Sequence, residues 1–522
     1  MIPSYFHRLD KIPLTPNGKL DRKKLPKVKF NNDNKKELYS TKTEKQLSKT
    51  ISEILDTDEI DINAPFMTLG LDSLDLIQVQ TKLVKYNYVI NTQDFFKFNT
   101  IKTLAKHIDN NIHVYKDNDA QVPYEFRHKP DQLLASMNDL TLSDEHLGNV
   151  LLTGANGFIG IHLLKELIDN TDINIYCLVR GNSISHSTER LVNRFNNYFK
   201  EDISNLINNR IFILNGNIEK DKLNLSKSNI SLLKDKISTI IHTAAIVKHY
   251  GDFEEFKQVN IHGTENVADF ALTIKKRLIH ISSISVSGNY LVKQDNRNVE
   301  FSENNLYIGQ HYSNNVYVHS KFEAEKIILE KMKSGLNAQI HRIGILAGRY
   351  SDGVFQENIA DNAFYSRIKS MIALSFVADS MVDHKIEFTP VDDCVKAIVR
   401  LAKNKLADNR IYHLFNHNFV TIREILEALK RFGINIEVVS SKEFQKRLVE
   451  LSGNDNSKAL SGIINDLDLN DNNQMSINYN FSVNIKSSYT TKYLNVLKCN
   501  WNEVNKNYLN KIISYMKDVN FI

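Results

Sequence analysis

Residues 150–160 read VLLTGANGFIG, and this stretch decides the fold. A short apolar run ends in a glycine-rich turn, and IHLLKELI (161–168) continues as an amphipathic helix. Gly154, Gly157 and Gly160 permit a tight turn, close backbone approach to a pyrophosphate and close packing of helix on strand. A glycine string alone says little; between a strand and a helix it marks a dinucleotide-binding turn. Working outward, NIYCLV (174–179), RIFILN (210–215), STIIHTAA (238–245), RLIHISS (277–283) and QIHRIGIL (339–346) read as further buried strands, several of them separated by amphipathic helical stretches. That alternation is the signature of a parallel, doubly wound sheet. After about residue 350 the pattern becomes helical and irregular, and residues 453–474 read as loop-rich.

The second strand ends in Arg180, twenty residues after Gly160. NAD sites usually place an acid there to hold the ribose 2′-hydroxyl. A guanidinium instead suits a 2′-phosphate, so NADPH is the expected cofactor, with Arg190 on the following helix as a second cation. Downstream, YVHSK (317–321) sets Tyr317 and Lys321 four positions apart, on one face of a helix. A free tyrosine has a pKa near 10, and a nearby ammonium would lower it, which makes the pair an acid–base candidate.

Upstream, residues 41–112 show helical periodicity in short pieces, one with Leu47, Ile51, Ile54 and Leu55 on a common face. This is the size of a small four-helix bundle. Within it, FMTLGLDSLDLIQV (66–79) places Ser73 at the start of an amphipathic helix. A phosphate ester on that hydroxyl would sit at the positive end of the helix dipole, whereas a lone serine there would read only as an N-cap. Residues 1–27 are basic and proline-punctuated and contain PNGKLDRKKLP (16–26).

The composition excludes several classes. A formal net charge of +5 over 522 residues, with no basic run, lacks the footprint of a nucleic-acid binder. Cys177, Cys394 and Cys499 are far apart, with no CxxC, so neither a disulfide framework nor a metal site is expected. Nor is a membrane span or a signal peptide expected. A cytoplasmic monomer fits.

LGLDSL (69–74) resembles the LGGxSL pattern of the thiolation (peptidyl carrier) domains of nonribosomal peptide synthetases, with Leu71 at the position of the usual second glycine. The resemblance implies 4′-phosphopantetheine on Ser73, installed by a phosphopantetheinyl transferase, with Leu74 and Ile77 facing either partner domains or the bundle core. PNGKLDRKKLP resembles the extreme C-terminal motif of adenylation domains, which implies an acyl-adenylate contact for Lys19. The rest of that domain is missing, so no adenylation activity is expected, and the chain reads as a piece of a longer synthetase with upstream adenylation and condensation domains. TGANGFIG, VRG, HTAA, SSISV, YVHSK and PVDDC together resemble the thioester reductase domains that end some of these synthetases, a branch of the extended short-chain dehydrogenases. That resemblance implies Ser283, Tyr317 and Lys321 as catalytic residues. It also implies a cofactor site of Gly154, Asn156, Gly157, Phe158, Ile159, Gly160, Arg180, Arg190, Asn217, Ile218 and Ala244, together with Tyr317 and Lys321.

The expected organisation is an adenylation remnant (1–27), a linker (28–40), a carrier (41–112), a second linker (113–146) and a reductase (147–522). Within the reductase, a Rossmann core spans about 147–350 and 385–420, and a helical substrate subdomain about 351–384 and 421–522. The expected reaction is NADPH-dependent release of a carrier-bound aminoacyl or peptidyl thioester as an aldehyde, which can close to a cyclic imine. Four-electron reduction to an alcohol, a nucleotide-sugar epimerase or dehydratase, and a non-catalytic docking platform are the alternatives.

Overall fold

The computed structural model describes residues 39–55, 57, 60–71, 75–76, 79, 82–83, 94–95, 98–114, 144–248, 253–288, 299–310, 312–313, 315–452, 467–469, 475–477 and 483–522. Ser73, Leu74, Ile77, Lys19 and the rest of 1–27, and most of the two linker segments lie outside them.

Seven strands form one parallel sheet: β1 Val150–Thr153, β2 Ile175–Val179, β3 Ile211–Asn215, β4 Thr239–His242, β5 Arg277–Ser283, β6 Ala338–Ile343 and β7 Arg410–Leu414. Their spatial order is β7-β6-β5-β4-β1-β2-β3. β1, β2, β4 and β5 are buried along their whole length, as a sheet covered on both faces requires. The helices Phe158–Asn170, Ile184–Phe199 and Val391–Ala402 cover one face, and Gly263–Ile274 and Val316–Lys333 cover the other. The strand order reverses between β1 and β4, both of which start next to Asn149. Ligands of such sheets bind at the carboxyl ends of the strands at that switch point.

Six of the seven strands match the apolar runs of the sequence. β7 does not: RIYHL is short, carries Arg410 and His413, and falls where the pattern looks irregular. It joins the sheet as its edge, paired with β6 alone in the sheet, and the helix Ser488–Val496 packs Tyr489 and Tyr493 against Tyr412. A separate apolar cluster gathers the helices Ala363–Leu374, Ile422–Arg431 and Lys506–Asp518. Phe158 bridges that cluster and the sheet, with its ring 5.0 Å from Phe355 and 5.9 Å from Tyr198. In the loop-rich stretch, Leu467–Leu469 and Met475–Ile477 form an antiparallel pair.

In the N-terminal bundle, Leu47 and Ile51 are fully buried and Ile54 and Leu55 pack at the margin, as their spacing requires. Leu71, at the glycine position of the carrier pattern, is itself core and only 2% exposed.

Register places Ser282, Arg342 and His413 side by side across β5, β6 and β7. Glu325, from the helix Val316–Lys333, descends onto this row. Its carboxylate accepts from Arg342 Nη2 at 2.7 Å and Nε at 3.0 Å, with both side chains wholly buried. The Ser282 hydroxyl donates to the same carboxylate. Arg342 also meets His413 Nε2 at 3.0 Å and lies over the Phe301 ring. Removing one member of a buried pair strands the other charge, which costs about 3–5 kcal/mol. Glu325→Ala should therefore lower the unfolding free energy by about that amount, read from urea titration of the reductase transition.

Candidate active site

The glycine turn is built as its sequence requires. Gly154 takes φ +74°, and a Cβ there would lie 2.6 Å from the Ala244 nitrogen. A Cβ on Gly160 would stand 2.1 Å from the Gly154 carbonyl oxygen. The glycines thus let the β1 turn close simultaneously on the β4 turn and on the first turn of its own helix. Thr243 Oγ1 ties the two turns by donating to the Thr153 carbonyl at 2.7 Å. The helix Phe158–Asn170 starts at Gly157 with no side-chain cap, so its first N–H groups and dipole are available to an anion. Asn156 Oδ1 is buried without a hydrogen-bond partner. An orphaned acceptor beside an uncapped helix start, cradled by glycines with no room for a Cβ, fits a dinucleotide.

The other cofactor candidates divide. Ala244 meets Gly154, as above. Phe158 and Ile159 turn their side chains into apolar clusters, and Ile218 is buried under Gly263. Asn217 Oδ1 accepts from the Glu219 N–H at 3.0 Å and so braces its own turn. Arg180 is exposed at the end of β2, but Glu219 pairs with it at 3.1 Å. Arg190 donates to the Arg180 carbonyl at 2.8 Å.

The catalytic candidates converge at the carboxyl end of β5. Asn315 caps the helix Val316–Lys333, its Oδ1 accepting from Tyr317 N at 3.0 Å and Val318 N at 3.1 Å, which seats Tyr317 in the first turn. Ser283 closes β5, and its hydroxyl hydrogen-bonds the Tyr317 phenol. Burial raises the phenol pKa, and the Ser283 bond opposes that rise. Lys321, one turn on, does not act on the phenol as the sequence suggests: its ammonium donates to the Ile281 carbonyl at 2.8 Å. Burial pulls Lys321 down to about 8, against the raising effect of Glu325.

Sequence reasoning missed Asn260. It lies in the π-helical turn Lys257–His262, 1% exposed, and holds three groups. Its Oδ1 accepts from Ile246 N at 2.7 Å, while its Nδ2 donates to the Ile246 carbonyl and to Ser320 Oγ, each at 2.9 Å. Asn260 thereby fastens the loop after β4 to the helix that carries Tyr317 and Lys321. Nothing marks it in the sequence, since VNIHGTENVA (259–268) mixes polar and apolar residues throughout.

Comparison with known proteins agrees with this geometry. Residues 152–398 match the NAD-binding family model described as male sterility protein, and residues 45–108 match the phosphopantetheine attachment site model. A thiolation-reductase di-domain from an archaeal nonribosomal peptide synthetase superposes with a TM-score of 0.70 at 30% identity, covering 92% of this chain and 98% of that one. The chain belongs to the thiolation–reductase di-domains of nonribosomal peptide synthetases. It is an NAD(P)H-dependent oxidoreductase joined to a phosphopantetheine carrier domain. A linear gramicidin synthase of Brevibacillus parabrevis is 27% identical over 86% of this chain and 9% of its own length. The L-2-aminoadipate reductase of Eremothecium gossypii, in its large subunit, is 25% identical over 87% of this chain and 35% of its own length. The chain thus spans about a third or less of these curated relatives. Among the described residues no helix is long and apolar enough to cross a membrane, and no cluster of His, Cys, Asp or Glu suits a metal ion.

Lys321 gives this site a pH signature. With a folded pKa of about 8 and an ordinary one near 10.4, the unfolded chain holds one more proton between those values. Its contribution to stability therefore rises with pH across that window and is flat below it. Stability of the wild type relative to Lys321→Met should climb from pH 8 to pH 10, measured by urea titration at each pH.

Proposed function

We propose that this chain releases an aminoacyl or peptidyl group from a phosphopantetheine arm on Ser73 by NADPH-dependent reduction to the aldehyde. The observation that carries the reading is the hydroxyl pair of Ser283 and Tyr317, at the sheet edge that also bears the Gly154–Gly160 turn, in a chain that also holds a carrier domain. When bound, the reduced nicotinamide supplies a hydride and the arm presents a thioester, so one hydride and one proton yield an aldehyde and a free thiol.

The protein's own residues then have distinct tasks. Ser283 orients the Tyr317 hydroxyl and shares with it the oxyanion that develops on the acyl carbonyl. Tyr317 hands its proton to that oxygen. A phenol whose pKa is raised stays protonated at neutral pH and serves as the donor a reduction needs. Lys321, held at the Ile281 carbonyl, keeps a positive charge below pH 8 at the carboxyl end of β5, where its ammonium can hold the ribose hydroxyls of the nicotinamide half. The turn of Gly154, Gly157 and Gly160 seats the pyrophosphate, Asn156 Oδ1 is open to a hydroxyl donor of the cofactor, and Arg180 and Arg190 bring positive charge to the adenosine end.

The helical cluster that includes the helices Ala363–Leu374 and Ile422–Arg431 forms the substrate side of the cleft in this reading. Upstream synthetase domains supply the acyl group, a phosphopantetheinyl transferase loads Ser73, and the chain works as a monomer in the cytoplasm. An aldehyde bearing a free amine can close to a cyclic imine without further catalysis.

A single-turnover assay tests the proposal. Ser73 is loaded with a dipeptidyl-phosphopantetheine, NADPH is added, and cofactor oxidised per thioester is counted beside product mass. One NADPH per thioester, with aldehyde or imine mass, is expected; two with an alcohol would replace it by four-electron release. Tyr317→Phe should slow the turnover by at least about a hundredfold, the usual contribution of a general acid. Ser73→Ala should abolish loading, seen as loss of the phosphopantetheine mass shift. A Tyr317→Phe variant with the wild-type rate would remove Tyr317 from the mechanism.

A further inference from the structure

The adenosine end of the cofactor groove contains a charge that the sequence pattern hides. Arg180, the cation expected to meet a 2′-phosphate, has a side chain 75% exposed and pairs through Nη1 with Glu219 Oε1 at 3.1 Å. Glu219 comes from the turn after β3, not from the end of β2 where an acid would be sought. Its position is built. Gly216 has no room for a side chain, since a Cβ would lie 2.4 Å from Leu178 Cδ1. Asn217 N donates to the Leu223 carbonyl at 2.9 Å, and Asn217 Oδ1 accepts from Glu219 N at 3.0 Å. Asn266 Nδ2 holds the Ile218 carbonyl at 2.8 Å. The turn from Gly216 to Glu219 is thereby fixed against β2 and the helix Gly263–Ile274, and it presents a carboxylate to Arg180. Arg190 binds the Arg180 carbonyl and adds positive charge alongside without pairing with Glu219.

We propose that Glu219 sets the cofactor preference of this enzyme by competing with the 2′-phosphate for Arg180. This rests on the NADPH reading of Arg180. A 2′-phosphate must displace the carboxylate and then lies beside its negative charge, so NADPH binds with part of its advantage cancelled. A cofactor with a free 2′-hydroxyl meets no such repulsion, and Glu219 can accept from that hydroxyl as acids do in NAD sites. The chain therefore discriminates less between NADPH and NADH than its unopposed Arg180 would.

The test is calorimetric binding of two redox-inert fragments, 2′,5′-ADP and 5′-ADP, to the full chain. Glu219→Gln keeps the size and the backbone turn while removing the charge. It should tighten 2′,5′-ADP by about five- to tenfold, an exposed ion pair plus a like-charge contact, and leave 5′-ADP within about twofold. Arg180→Met should weaken 2′,5′-ADP, and in the Arg180→Met background Glu219→Gln should keep only the like-charge part of its effect. Both positions are at the surface, and circular dichroism checks that the variants fold. If Arg180→Met weakens 2′,5′-ADP but Glu219→Gln does not tighten it, the competition is refuted while the NADPH reading stands. If Arg180→Met leaves 2′,5′-ADP unchanged, the NADPH reading of Arg180 falls and the competition with it. A Glu219→Gln variant that weakens 5′-ADP strongly and leaves 2′,5′-ADP unaltered would make Glu219 a plain ribose acceptor and overturn the proposal.

Discussion

The ion pair between Glu325 and Arg342 fixes the geometry on which the active site depends. Two fully buried charges are tolerated only when they are paired and hydrogen-bonded, and here each nitrogen of the guanidinium and both carboxylate oxygens have a partner. Arg342 directs its guanidinium at Glu325, His413 and the face of Phe301. Glu325 also takes the hydroxyl of Ser282, the residue before Ser283. His413 passes the chain of bonds on through Nδ1 to the Lys486 carbonyl at 2.6 Å, and its own N–H goes to Thr490 Oγ1. One carboxylate thus locks the helix of Tyr317 and Lys321 to the strand of Ser283, and through Arg342 to the C-terminal segment. A slide of that helix along the sheet would unpair both charges, so Tyr317 meets Ser283 at one helix position only.

The same carboxylate shapes the electrostatics above it. Lys321 lies one turn before Glu325 and is packed over β4 and β5, where His242 and His280 face it. Both histidines are buried and held below their ordinary pKa, first by burial and next by the Lys321 charge. They therefore remain neutral and leave Glu325 as the charge that raises the pKa of the ammonium. His242 is also committed sterically, between Thr153 Oγ1 and Thr264 Oγ1. The floor under Lys321 is thus neutral, with His242 held by two threonines and His280 buried without a hydrogen-bond partner.

How much of this could be read in advance follows a physical rule. The glycine turn was legible because its constraint is local: within seven residues Gly154 and Gly160 admit no Cβ, and one on Gly157 would stand 3.1 Å from the Gly154 carbonyl oxygen. Tyr317 and Lys321 were legible because a helix repeats every 3.6 residues and puts them on one face. Arg180 was legible as a residue, but its partner was not, since Glu219 lies in the turn after β3 and only the β2–β3 pairing brings it near. Asn260 was missed for the same reason: its three bonds cross from one element to two others. Strand β7 was missed because its stability comes from β6 and from Tyr489 and Tyr493, none of which leaves a mark in RIYHL itself. Ser73, read from its motif, lies outside the described residues.

The Tyr317 phenol pKa is set by burial and by Ser283, and that bears on its protonation state. A lysine that lowers a tyrosine pKa prepares a base, which suits oxidation of an alcohol. Here the ammonium is drawn to the Ile281 carbonyl, and burial leaves the phenol harder to ionise. A protonated phenol next to the Ser283 hydroxyl is set up to give a proton. Ser283, not Lys321, is the group that offsets the burial of the phenol. A phenol that is protonated in the resting state is ready to give its proton to a carbonyl oxygen as a hydride reaches the carbon.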